Sequence, residues 1–194
     1  VSRCSKEKLE VVKLLRYEDS KMLTDYDSQK EALKDSSIDI GKVDTIVDSA
    51  LRDMGAEEND ISTANLNLQI NEMLLWHGTS KYAALSISAD GFLITETAHG
   101  RRFGDGVYLA EDLDKSLSYA RVEDDGIQYV LLCRAVCGDM FRTSAKWFEK
   151  AHKSAQAENK HSILAEPDGD PREFITLKTE QVYPEFLLHL RRIT

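Results

Sequence analysis

The sequence predicts an α+β fold in a single domain. Two observations carry this. The first third holds an apolar stripe at helical spacing. From Asn71 onward, short apolar runs of strand length follow one another, separated by glycines and polar turns. Strands grouped in one part of a chain and helices in another form separate layers rather than a repeating strand–helix unit. The 194 residues suit one domain with a sizeable core. Residues 1–70 are expected to form its mostly helical part and residues 71–194 its core. There is no internal repeat and no low-complexity segment.

The elements follow in order. In "KVDTIVDSALRDM", Val43, Ile46, Val47, Ala50, Leu51 and Met54 recur at i, i+3 and i+4, the spacing of one packed helix face. "GAEENDISTANLNLQ" is polar and turn-rich and reads as a loop. "EMLLWH" predicts a buried strand. "SKYAALSISAD" predicts a helix that starts at a Ser N-cap and ends before Gly91. "GFLI" reads as a second short strand, and "TETAHGRRFGDG" as a loop whose glycines suit tight turns. "GVYLA" predicts a strand, and "DLDKSLSYARV" a short helix with acidic residues in its first turn. "IQYVLLCRAV" is the strongest strand signal in the chain. A polar helix around Ser144–Glu158 is expected next, and "HSILA", "EFITLK" and "EFLLHLRRI" close the sequence as strands.

Composition excludes several classes of function. With 34 acidic and 25 basic residues the formal net charge is −9, which repels phosphate backbones, so no direct nucleic-acid binding is expected. One small anionic ligand in a local basic pocket remains compatible with that charge. No apolar run is long enough to span a membrane, and no secretory signal pattern is present. The chain begins Val1-Ser2-Arg3 without an initiator Met, as expected of a piece of a larger protein. Cys4, Cys133 and Cys137 are odd in number and lack zinc-type spacing. Cys133 and Cys137 lie in the strand "YVLLCRAVC" and read as packing residues. An intracellular, reducing compartment, nucleus or cytoplasm, is expected. His99, His152, His161 and His189 show no ligand spacing, so no metal is expected.

Three segments carry chemistry. "LLWHGTS" puts a His and a Gly directly after a buried strand. "RRFGDGVYLAEDLDKSLSYA" offers Tyr108 and Tyr119 with Lys115 and Ser116 between them. "PREFITLK" starts a strand with Glu173 beside Arg172. Taken singly, each has an ordinary structural reading: a hydrogen-bonded His, a core Tyr, a solvated rim Glu.

Together, "NEMLLWHGTS", "FGDGVYLAEDLDKSLSYA" and "EFITLKTEQVYPEFLL" resemble, in order, the three signature blocks of the poly(ADP-ribose) polymerase catalytic domain. The last block is similar to that of tankyrase-type enzymes. The resemblance runs from about Asn71 to Leu188. More weakly, "VVKLLRYEDSKMLTDY" resembles the opening strand and helix of that domain, while Ser36–Ile70 is not matched. The resemblance implies an ADP-ribosyltransferase fold: split, twisted antiparallel sheets with a cleft for NAD⁺, consumed as substrate. It implies a His-Tyr-Glu triad at His77, Tyr108 and Glu173, with Gly78, Thr79, Lys115, Ser116 and Tyr119 also at motif positions. Protein acceptors, including the enzyme itself, are the implied partners, and nicotinamide-like molecules the implied inhibitors.

These residue types suit the reaction. Nicotinamide leaves NAD⁺ as a neutral molecule, so the two carboxylates of a glycosidase are not both needed. One carboxylate on the ribose 2′-OH, Glu173, stabilises the oxocarbenium-like charge as it develops, and can polarise an acceptor hydroxyl. The Gly78 backbone and the Ser116 hydroxyl suit the carboxamide. Tyr119 and Tyr108 suit the two sides of the ring. His77 suits a ribose hydroxyl, and Thr79 the adenosine side.

The chain departs from the family pattern in two places. Leu93 stands where the family has a basic residue near the start of the adenosine-side loop. Arg102 stands where family members often have an apolar residue facing the acceptor. Arg101 and Arg102 are either solvated or directed at the pyrophosphate. Poly(ADP-ribose) elongation is expected from Glu173, with mono-ADP-ribosyl transfer or an inactive NAD⁺/ADP-ribose-binding module as the alternatives. An RNA 2′-phosphotransferase, which shares the broader fold, calls for a basic surface that this acidic chain lacks. A plain interaction module using the Val43–Met54 stripe is the remaining alternative.

Overall fold

Strands dominate the computed structural model, which describes residues 5, 6, 8–34, 40–45, 47, 66–95 and 101–193. Cys4, His99 and most of the Val43–Met54 stripe, including Ile46, Ala50, Leu51 and Met54, lie outside the described residues. The elements in chain order are β1 (Leu9–Arg16), α1 (Ser20–Lys34), β2 (Glu72–Thr79), α2 (Lys81–Asp90), β3 (Val107–Ala110), α3 (Leu113–Leu117), β4 (Ile127–Val136), β5 (Met140–Thr143), α4 (Ala151–Ala157), β6 (Ser162–Ala165), β7 (Glu173–Thr176) and β8 (Val182–Arg192). Short 3-10 turns at Leu68–Ile70 and Thr179–Gln181 precede β2 and β8.

The strands form one open, eight-stranded sheet in the order β1-β8-β4-β2-β3-β7-β6-β5. Neighbours run antiparallel except β5 and β6, which are parallel. The sheet nearly divides in its middle. β2 pairs with β4 along its whole length, from Glu72 opposite Val136 to Thr79 opposite Tyr129. On its other side it meets β3 at one residue pair, Trp76 with Ala110. Beyond that pair the two halves diverge, and side chains on the facing strand ends look into the gap. The split, twisted antiparallel architecture expected from the sequence is therefore present as two halves hinged at Trp76–Ala110.

β4 shows why its sequence reads so strongly as a strand. It is flanked by β2 and β8, which satisfy its backbone along both edges, and its side chains are buried on both faces except for the partly exposed Leu132 and Arg134. Cys133 and Cys137 are free and fully buried, as packing residues. Burial pushes the Cys137 thiol up to about 12.

The caps set the helices. Ser80 accepts from the Ala83 N–H at 3.3 Å to start α2, which stops at Gly91. Asp112 accepts from the Lys115 N–H at 3.0 Å to start α3. That cap fixes the register of the short helix and, with it, the direction of Lys115 and Ser116.

Three expectations are corrected. "GFLI" is irregular and pairs with no strand: Phe92 is buried in the core and Ile94 packs against it, while Leu93 is 80% exposed. The helix expected around Ser144–Glu158 spans only Ala151–Ala157. The Phe148 N–H donates to the Arg102 carbonyl at 2.7 Å, so that stretch is tied to the 101–104 loop. "LEVVKLLR" is strand β1, the opening strand that the resemblance implies. β5 was not expected; it lies at the edge, parallel to β6. No helix among the described residues is long and apolar enough to cross a membrane.

Candidate active site

A cleft of about 350 Å³ opens where the sheet divides. Every residue singled out from the motifs lines it: His77, Gly78 and Thr79 from the end of β2, Tyr108 from β3, Lys115 and Ser116 from α3, Tyr119 just after it, and Glu173 from β7.

Strand register brings these together. Ala110 pairs with Trp76 on one side and with Glu173 on the other. The first residue of β7 therefore sits one strand away from the β2 residue that precedes His77, although 96 residues of sequence separate Glu173 from His77 (173 − 77). α3 packs onto β2 at Gly78. A Cβ on Gly78 would lie 1.7 Å from the Ser116 carbonyl oxygen, so only glycine lets the helix approach this closely. Ser116 is 3% exposed, and no hydrogen bond engages its hydroxyl among the described residues. The hydroxyl is thus available beside the Gly78 backbone.

His77 is held as one tautomer. Its Nδ1 lies 2.9 Å from the Tyr108 carbonyl oxygen, which can only accept, so Nδ1 carries the proton and donates. Burial pushes His77 below its ordinary value, which keeps the ring neutral at pH 7 and leaves the Nε2 lone pair as an acceptor. The Phe92 ring meets the imidazole edge-on at 5.1 Å and fixes its plane.

The Tyr108 hydroxyl is already used. It accepts from the Phe103 N–H at 3.0 Å and donates to the Gly104 carbonyl at 2.8 Å. Burial pushes its pKa up to about 12, so Tyr108 offers the cleft a ring wall rather than an acid or a base. The turn it holds needs Gly104, whose φ is +88° and whose Cβ would strike the His152 ring. Tyr119 at the cleft wall is 60% exposed, with Lys115 Nζ 5.7 Å from its ring centre.

Glu173 is 3% exposed and paired with two cations. Lys115 Nζ lies 3.1 Å from Oε1, and the Arg102 guanidinium contacts the same oxygen. Burial works against charge on Arg102, but Glu173 and Asp170 more than offset this and hold the guanidinium above its ordinary value. Arg101 also lines the cleft, and it pairs with Asp105 at 2.9 Å.

A second hollow of about 390 Å³ continues from the first, sharing His77, Arg101 and Tyr108. It runs along α2 past Ile87, Phe92 and the exposed Leu93. No group of three or more His, Cys, Asp or Glu side chains that could hold a metal ion occurs among the described residues.

Sequence reasoning missed one element of the site. Glu111 is buried, and Arg172 donates to it at 2.8 Å. This pair staples the end of β3 to the residue before Glu173. The pairing follows from the strand register rather than from any local sequence signal: with Ala110 opposite Glu173, the antiparallel ladder places Glu111 opposite Arg172.

A family model described as "Poly(ADP-ribose) polymerase catalytic domain" matches residues 3–169. The chain belongs to the poly(ADP-ribose) polymerase catalytic domain family. The match takes in every residue lining the cleft except Glu173, which lies just beyond it. The chain is 31% identical to the poly [ADP-ribose] polymerase tankyrase of Caenorhabditis elegans over 103 residues, covering 52% of this chain and 4% of that protein. It is 29% identical to the protein mono-ADP-ribosyltransferase PARP12 of Mus musculus over 121 residues, covering 62% of this chain and 17% of that protein. It is also 25% identical to the protein mono-ADP-ribosyltransferase PARP11 of Homo sapiens, over 62% of this chain and 41% of that protein. The chain thus spans less than half the length of these relatives. By name, the relatives include both poly- and mono-transferring enzymes. Poly(ADP-ribose) polymerase domains take NAD⁺ as substrate and modify proteins, which frames the chemistry of this cleft.

Proposed function

We propose that this chain cleaves the nicotinamide–ribose bond of NAD⁺ and transfers ADP-ribose to protein side chains, its own included, with elongation by further units. The observation that carries the reading is the placement of one buried carboxylate, Glu173, across a cleft from the Gly78–Ser116 contact, with aromatic walls between.

Each group has a task in that reading. The Gly78 backbone and the unengaged Ser116 hydroxyl recognise the carboxamide, and Tyr119 and Tyr108 cover the ring. His77 Nε2 accepts from a ribose hydroxyl, because its other nitrogen is committed to Tyr108. The adenosine end runs into the hollow along α2, with Thr79 near its start. The Glu173 oxygen left by Arg102 and Lys115 accepts from the ribose 2′-OH and stabilises charge at C1′ as nicotinamide departs. Holding both ends of the dinucleotide supplies several kcal/mol through orientation alone. Support for elongation is Glu173 itself, since adding a unit needs a carboxylate to activate the previous ribose, and Lys115 at 3.1 Å orients that carboxylate.

Incubation with labelled NAD⁺, followed by intact-protein and peptide mass spectrometry, tests the reading. ADP-ribose on protein with stoichiometric nicotinamide release is expected. Binding of NAD⁺ without release would identify an inactive binding module instead.

A further inference from the structure

We propose that Arg102 limits the length of the ADP-ribose chain by occupying the Glu173 oxygen that would serve the acceptor. The inference rests on the transferase reading and deepens it.

A carboxylate has two oxygens, and elongation asks two things of Glu173 at once. One oxygen must hold the donor ribose 2′-OH. The other must take the proton from the acceptor ribose as that hydroxyl attacks. In this step the acceptor oxygen forms a bond to C1′ of the donor. The C1′–nitrogen bond breaks, and nicotinamide leaves with its electron pair as a neutral molecule. The acceptor proton goes to the carboxylate. In this chain both Arg102 and Lys115 contact Oε1. Lys115 leaves one lone-pair direction of Oε1 open, and the Arg102 guanidinium takes it, so an acceptor hydroxyl has no direction left from which to hand this oxygen its proton. Oε2 remains for the donor. Initiation at an acceptor that is already deprotonated, such as a carboxylate side chain, needs no base. Elongation at a ribose hydroxyl does.

Arg102 is not a loose surface side chain that happens to fold inward. Its guanidinium is also 3.7 Å from Asp170, and its side chain is only 21% exposed. Its backbone carbonyl is fixed by the Phe148 N–H at 2.7 Å, and the next residue, Phe103, is fully buried. The guanidinium is therefore presented to Glu173 by an anchored turn, on the loop side of the cleft opposite α3.

The test compares the unaltered chain with Arg102→Met, which removes charge but keeps length, and with Asp170→Ala, which loosens the Arg102 anchor without touching Glu173. Product length is measured on denaturing gels and by mass spectrometry, normalised to nicotinamide released. The expected result is short chains from the unaltered protein. Arg102→Met should raise the ratio of elongation to initiation events by about tenfold, a fraction of what general-base catalysis can contribute, and Asp170→Ala should raise it less. Unchanged or shorter chains in both variants, with nicotinamide release intact, would overturn the proposal alone. Absence of nicotinamide release from all three proteins would overturn the transferase reading and this proposal with it.

Discussion

Gly78 and Ser116 touch so closely that a single methyl group on Gly78 would sit 1.7 Å from the Ser116 carbonyl oxygen. The contact joins β2 to α3 and sets the distance between two groups proposed to read the carboxamide. Gly78→Ala must push α3 outward. It is expected to destabilise the fold by about 1–3 kcal/mol, the usual cost of overpacking, and to weaken benzamide binding by displacing Ser116. Thermal unfolding and a benzamide titration on the same sample check this. Unaltered benzamide affinity would show that α3 does not set the pocket.

Glu173→Gln keeps shape and removes charge. Transfer is expected to fall by about a hundredfold or more, because the carboxylate acts on charge present only in the transition state. NAD⁺ affinity should hold or tighten, since Arg102 and Lys115 lose their anionic partner and can attract the pyrophosphate. Calorimetric binding beside single-turnover kinetics separates the two. Equal losses of binding and turnover would contradict the role.

Benzamides should raise the melting temperature by mass action, because they present a carboxamide and ring to Gly78, Ser116 and Tyr119. Tyr119 is 60% exposed and free to cover a ring. Tyr119→Ala is expected to weaken them by about 1 kcal/mol through lost stacking, with little change in the melting temperature of the ligand-free protein. A melting curve indifferent to millimolar benzamide would remove the pocket assignment.

Stability should fall as pH drops below about 6.5, the ordinary histidine value. His77, His161 and His189 are all held below that value, chiefly by burial. Between the unfolded and folded values the unfolded chain binds more protons, so stability rises with pH there. The contribution is complete above the unfolded value and is lost as pH falls through the folded ones. Transfer should decline in the same direction as His77 Nε2 becomes protonated. Chemical denaturation at steps from pH 8 to pH 5.5, with imidazole NMR titration of His77, measures both. A flat stability profile across that window would oppose the assignment.

The sequence by itself determined the α+β class, most strands, the cap at Ser80, and which residue types gather around the chemistry. These are local: an apolar run, a capping side chain or a Gly beside a His is written within a few neighbouring positions. Segments whose conformation depends on a distant partner were misread. Ser144–Lys150 has helical composition, yet its backbone is captured by Arg102. "GFLI" has strand composition, yet it meets no neighbouring strand; Phe92 and Ile94 pack onto the core, Phe92 edge-on to His77. The functional detail followed the same division. His77, Tyr108 and Glu173 could be named from their motifs. That the Tyr108 hydroxyl is spent on a turn, that Glu111 staples Arg172, and that Arg102 pairs with Glu173 while Arg101 pairs with Asp105 depended on the sheet register and on the anchored 101–104 loop. Adjacent residues of identical chemistry are indistinguishable in a sequence. Only the packed backbone, which sets Arg102 against Glu173 and ties Arg101 to Asp105, assigns them different work.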